Sequence, residues 1–108
     1  MTDKIPSITI NGRRISSQDS PYIIAEMSAN HNGQLKTAIR IIDEARQAGA
    51  DAVKLQTYTA DTITMKCETE EVQIHGGLWD GKTLYQLYEE AHMPWDWHKP
   101  LFEHARKT

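Results

Sequence analysis

The sequence predicts an α/β fold: a β-hairpin at the front, then a strand–helix–strand unit with parallel strands. Three observations carry this. Apolar and polar residues alternate on either side of Asn11-Gly12. Two short apolar runs, at residues 22–27 and 52–56, are each bounded by turn formers. Between them lies a stripe of apolar residues with helical spacing, and the three periodicities separate strand from helix. Two strands joined through a helix by short links require a crossover, which makes them parallel.

Taken in order, the first element is the hairpin. Ile8, Ile10 and Ile15 flank Asn11-Gly12, the pair that suits a type I′ turn. Nothing in it has the arrangement a reactive site needs, so it reads as a structural cap. Residues 16–21 form a polar loop. The first strand of the unit follows and carries an acid, Glu26, at its C-terminal end. Residues 28–33 are dense in turn formers. Leu35, Ala38, Ile39, Ile42 and Ala45 then mark the helix, with Asn32 as the expected N-cap and Gly49 as the C′ residue. The second strand spans 52–56. Residues 57–80 are polar and without periodicity, and a loop of that length is either functional or disordered. Thr83 and Gln86 are spaced as a capping box for a helix striped by Leu84, Leu87, Tyr88 and Ala91 and ended by Pro94. A last helix runs from near Asp96 to Lys107. Pro100 lies inside it, so it starts late or bends.

The 108 residues suffice for at most one domain. Twelve basic against fifteen acidic residues leave a net charge of −3, which argues against a nucleic-acid-coating face or a polybasic membrane patch. No apolar run approaches the ~20 residues that span a bilayer, and residues 1–6 contain no apolar stretch of a signal peptide. Cys67 is the only cysteine. An internal disulfide and a Cys-based zinc site are therefore excluded, and a reducing, cytoplasmic location is expected. His31, His75, His92, His98 and His104 lack the two-His helical spacing of a zinc enzyme. The last three are expected at surface or half-buried helix positions, and Trp95 and Trp97 as packing aromatics. No glycine-rich phosphate loop is present.

Side chains alternate faces along a strand. Val53 and Leu55 must meet the helix, which turns Lys54 and Gln56 to the opposite face. Parallel sheets are almost always covered on both faces, so Lys54 is expected to be a buried charge that needs a partner. Glu26, at the end of the neighbouring strand, is the obvious one. All three polar groups lie toward the C-terminal strand ends, where α/β folds bind ligands. A purely structural ion pair is the other reading.

Ile24-Ala25-Glu26-Met27-Ser28-Ala29-Asn30-His31-Asn32-Gly33 and Ala48-Gly49-Ala50-Asp51-Ala52-Val53-Lys54-Leu55-Gln56-Thr57-Tyr58 resemble the opening of the sialic acid synthase family. Gly76-Gly77-Leu78-Trp79-Asp80, with residues 83–89 and 95–98, is similar to the branch of that family that makes pseudaminic acid. The resemblance runs from about Tyr22 almost to Thr108. It implies the first part of a (β/α)₈ TIM barrel, with residues 1–20 as the hairpin cap and 21–108 as the first two βα units. A full barrel takes ~250 residues. The remaining strands and the family's small C-terminal antifreeze-like domain would lie beyond this chain.

The resemblance also implies a chemistry. Family members condense phosphoenolpyruvate with the open-chain aldehyde of an acetamido sugar, in this branch a diacetamido-trideoxy-altrose. A divalent metal polarises the aldehyde, and its histidine ligands would lie beyond residue 108. Lys54 would hold phosphoenolpyruvate, Glu26 would be the acid/base carboxylate, and Gln56 would hydrogen-bond the sugar. Asn30 and His31 would close and shape the first loop. Trp79, in the long loop, would be either a sugar contact or a buried loop anchor. Dimerisation in the family runs through the C-terminal domain. N-acetylneuraminate and legionaminate synthases share the strand motifs, and a truncated, non-catalytic remnant is a further alternative.

Overall fold

The computed structural model describes residues 4–108; residues 1–3 of the expected cap lie outside the described residues. β1 (Ser7–Ile10) and β2 (Arg13–Ser16) form the antiparallel hairpin, with Ile10 opposite Arg13. Asn11 and Gly12 both take positive φ, 48° and 81°, as a type I′ turn demands. Arg14 and Ser16 both bond Asp19 and hold its carboxyl down at about 2. Arg13 ties the hairpin to the next layer: its guanidinium pairs with Asp51 and donates to the Pro21 carbonyl at 3.2 Å. The other Asp51 oxygen accepts from the Ile23 N–H at 2.8 Å, so one carboxylate joins the cap to the N-terminal ends of both following strands.

β3 (Ile24–Glu26) and β4 (Ala52–Lys54) pair in parallel, with Glu26 opposite Lys54. Both are shorter than the apolar runs suggest. Each has one strand neighbour among the described residues, and the chain leaves the ladder at Ser28, whose φ is +51°. α1 (Leu35–Gln47) connects them. Its N-cap is Gln34, without a side-chain bond, not the expected Asn32. Asn32 is used one turn earlier, in the left-handed region at φ 52°. Gly49, at φ 97°, stands just past the helix, where an αL residue is wanted.

The long segment is not structureless. It contains α2 (Ala60–Ile63) and a 3₁₀ turn at Glu70–Val72. An isolated antiparallel bridge joins Gln73 to Thr83, and the Asp80 carboxylate accepts from the Gly76 N–H. Pieces of three and four residues are too short to show a periodicity. α3 (Leu84–Ala91) opens with the expected capping box, Thr83 Oγ1 accepting from the Gln86 N–H and Gln86 Oε1 from the Thr83 N–H. A 3₁₀ turn, Trp95–Trp97, leads into α4 (His98–Lys107). Pro100 is the third residue of α4, inside the first turn, where its missing N–H costs no bond.

Met27, Ala38, Ile42, Met93 and Leu101 form the core, and Leu35, Ile39, Val53, Leu55 and Trp97 pack against it. α1 and α4 thus cover one face of the β3–β4 pair, the face of Val53 and Leu55. Trp95 departs from the packing role expected of it. It is 58% exposed and lies over the His98 ring, with centroids 5.5 Å apart and planes 23° apart.

Candidate active site

On the opposite face, the C-terminal ends of β3 and β4 bring Glu26, Ser28, Lys54 and Gln56 around one cleft. Lys54 Nζ lies 3.3 Å from Glu26 Oε1, and the Ser28 hydroxyl reaches Gln56 Oε1 at 3.5 Å. Lys54 is not the buried charge the sheet argument expects. Its side chain is 64% exposed and that of Glu26 67%, because the described residues cover the sheet on one face only. An exposed pair of this kind adds ~0–1 kcal/mol, so the fold has little need of it. The cleft encloses about 30 Å³, far below the ~300–1,000 Å³ of ordinary ligand pockets. These four side chains form one wall of a candidate site. Sequence reasoning missed Ser28. The available signal was parity: residue 28 lies two beyond Glu26, as Gln56 lies two beyond Lys54.

The turn after β3 is organised from inside. Asn30 Nδ2 donates to the Met27 carbonyl at 3.0 Å. His31 is 1% exposed, and its Nδ1 accepts from the Gly33 N–H at 3.0 Å. The proton of the neutral ring is therefore on Nε2, a buried atom with no hydrogen-bond partner among the described residues. The ring stands edge-on to Trp97, with centroids 5.1 Å apart. Asn30 and His31 thus shape the loop that carries Ser28 and lie outside the four-residue cleft.

Burial, and after it the neighbouring His92, push the His31 imidazole below its ordinary value. Between that depressed value and ~6.5 the unfolded chain holds more protons than the native one. The contribution to stability is complete above ~6.5 and is lost as the pH falls through that window. The expected result is a denaturant midpoint that drops on acidification below neutrality. His31→Gln, whose amide oxygen can accept the same Gly33 N–H, should flatten that part of the curve. A variant with the wild-type pH slope would assign the effect to another group.

Trp79 is placed apart from Glu26 and Lys54. It is half-buried and lines a second cavity, of about 260 Å³, with Ala29, Asn32, Gly33, Glu90 and Ala91. The Lys82 ammonium lies 5.3 Å from its ring centroid and also pairs with Glu90. The two cavities meet the same loop, since Ala29 follows Ser28 directly. Among the described residues, no group of three His, Cys, Asp or Glu side chains converges to hold a metal ion, so the residues present do not fit the divalent ion by themselves. No helix of the described residues is long and apolar enough to cross a membrane.

A carboxylate, an ammonium, a hydroxyl and an amide are thus gathered at parallel strand ends of an α/β chain, the edge at which such folds bind ligands. The chain belongs to the NeuB family, whose model matches residues 41–108. Lys54, Gln56 and Trp79 fall inside that match, and Glu26, Asn30 and His31 precede it. The pseudaminic acid synthase of Campylobacter jejuni (serotype O:2) is 52% identical over 85 residues, covering 79% of this chain and 25% of its own. That of Helicobacter pylori is 47% identical over 87 residues, covering 81% and 26%. The chain therefore spans about a quarter of the length of the curated relatives it matches. Among solved structures, an N-acetylneuraminic acid (sialic acid) synthetase from Leptospira borgpetersenii, in complex with citrate, superposes with a TM-score of 0.72 at 29% identity. The superposition covers 95% of this chain and 31% of that one.

Proposed function

We propose that this chain is the N-terminal part of a pseudaminic acid synthase, supplying the hairpin cap (1–20) and the first two βα units (21–108) of a (β/α)₈ barrel. The observation that carries this reading is the Glu26–Lys54 pair at adjacent strand ends, with Ser28 and Gln56 beside it. Higher identity to the pseudaminic relatives than to the sialic acid synthetase supports the choice of branch.

In this reading Lys54 neutralises the carboxylate or phosphate of phosphoenolpyruvate, a point charge opposite an anion. The enol carbon of phosphoenolpyruvate attacks the aldehyde carbon of the acetamido sugar and forms the C–C bond. Water adds to the resulting cation, and phosphate departs by C–O cleavage. Glu26 is the carboxylate in place to exchange a proton with the water or the new hydroxyl. Gln56 and Ser28 offer hydrogen bonds to the sugar. A divalent ion and its histidine ligands, if the barrel uses one, come from beyond residue 108. Any homodimer would likewise form through the later domain.

The test is phosphate release by the full-length protein from phosphoenolpyruvate with each of three sugars: the diacetamido-trideoxy-altrose, N-acetylmannosamine and the legionaminate precursor. The altrose should give the highest kcat/KM. Preference for N-acetylmannosamine would move the assignment to the sialic acid branch, which the Leptospira likeness makes the second reading. Residues 1–108 alone should release no phosphate, since one wall of a site cannot enclose two substrates. Turnover by that fragment would overturn the proposed domain arrangement.

A further inference from the structure

The junction of the 3₁₀ turn and α4, Trp97 and His98, touches both strand-end loops of the candidate site. On one side, Trp97 packs on the core and meets the buried His31 ring, and so reaches the loop that carries Ser28. On the other, His98 Nε2 lies 2.6 Å from the hydroxyl of Thr57, the residue directly after Gln56. His98 Nδ1 lies 2.9 Å from the Trp95 carbonyl. A carbonyl only accepts, so Nδ1 carries the proton of the neutral ring and Nε2 accepts from the Thr57 O–H. Trp95 lies flat over the same imidazole. The ring is held by a carbonyl and an indole, and its free lone pair holds Thr57 in the segment that follows β4.

We propose that His98 is a positioning residue of the synthase site, acting through Thr57 to set where Gln56 meets the sugar. The claim rests on the synthase reading for what Gln56 binds, but not for where Gln56 sits. Its logic is preorganisation: a group that must be aligned during reaction is aligned beforehand by bonds to a rigid element. α4, anchored by the fully buried Leu101, is that element.

The test uses Thr57→Val, His98→Asn and His98→Gln in the full-length protein. Asparagine can still reach the Trp95 carbonyl but falls short of Thr57, whereas the glutamine amide oxygen can replace Nε2 as acceptor. Thr57→Val and His98→Asn should each raise KM for the sugar by ~2–13-fold, the worth of one neutral hydrogen bond. KM for phosphoenolpyruvate should stay unchanged, and His98→Gln should approach the wild type. The double variant Thr57→Val/His98→Asn should be no worse than the worse single one, as for two halves of one interaction. Additive losses, or equal rises in both KM values, would overturn the proposal. The side-chain amide resonance of Gln56, assigned with Gln56→Glu, gives a readout independent of turnover. It should shift in Thr57→Val and His98→Asn, and an unmoved signal would also overturn the proposal. If the wild type makes no product while that signal shifts, the synthase reading falls and the positioning role stands.

Discussion

Lys54→Ala and Glu26→Gln should each lower kcat/KM of the full-length protein by ~10²–10⁴-fold, the usual cost of losing a positioned proton-transfer or charge-stabilising group. The melting temperature should hardly move. Both side chains line a cleft at the strand ends and lie outside the packed core, and residues held for function add little to stability. This separation is what distinguishes a catalytic pair from a structural ion pair, the two readings that the strand pattern leaves open. Lys54→Ala should act mainly on phosphoenolpyruvate. Glu26→Gln keeps the size and hydrogen-bonding shape but removes the titrating group, so it should act mainly on kcat. Near-normal kcat/KM in either variant, or a loss of activity that follows unfolding, would remove that residue from the mechanism.

What the sequence reveals of this site follows from periodicity. The parity of β3 and β4 places Glu26, Lys54 and Gln56 on one face, and the structure brings those three to one cleft. The same parity reaches Ser28, but a serine among turn formers carries no signal of its own. Only the positive φ at Ser28 and the contact with Gln56 make it part of the wall. Lys54 is exposed because the covering rule concerns a complete sheet, and here one face is uncovered among the described residues. The His31 ring went further inside than its polar neighbours suggest. In Asn30-His31-Asn32-Gly33 the residues around His31 favour a turn, yet the edge-on Trp97, 66 residues later in the chain, packs against the imidazole in the interior. Long-range packing of that kind leaves no local pattern. The N-cap of α1 shifted from Asn32 to Gln34 for a related reason, since Asn32 was already committed to the left-handed turn.

Trp79→Asn should raise KM for the trideoxy sugar by ~10–200-fold, the range for a large apolar contact, and leave KM for phosphoenolpyruvate almost unchanged. The proposed altrose substrate carries a methyl in place of a hydroxymethyl and a second acetamido group. Its surface is less polar than that of N-acetylmannosamine, and an indole face suits it while excluding water. The structure supplies a place for that contact. The cavity of about 260 Å³ beside Trp79 is roomy enough for part of a sugar, and its other side is the loop from Ala29 to Gly33, which adjoins Ser28. The competing role is visible too, since the half-buried ring packs beside α3 and lies under the Lys82 ammonium, as a loop anchor would. The substitutions separate them. Trp79→Phe keeps an apolar face of reduced area, so a sugar contact predicts an intermediate KM for the sugar with wild-type melting behaviour. An anchor predicts a lowered melting temperature in both variants and equal losses for both substrates. With that result, the specificity of the rim would have to be sought in residues other than Trp79.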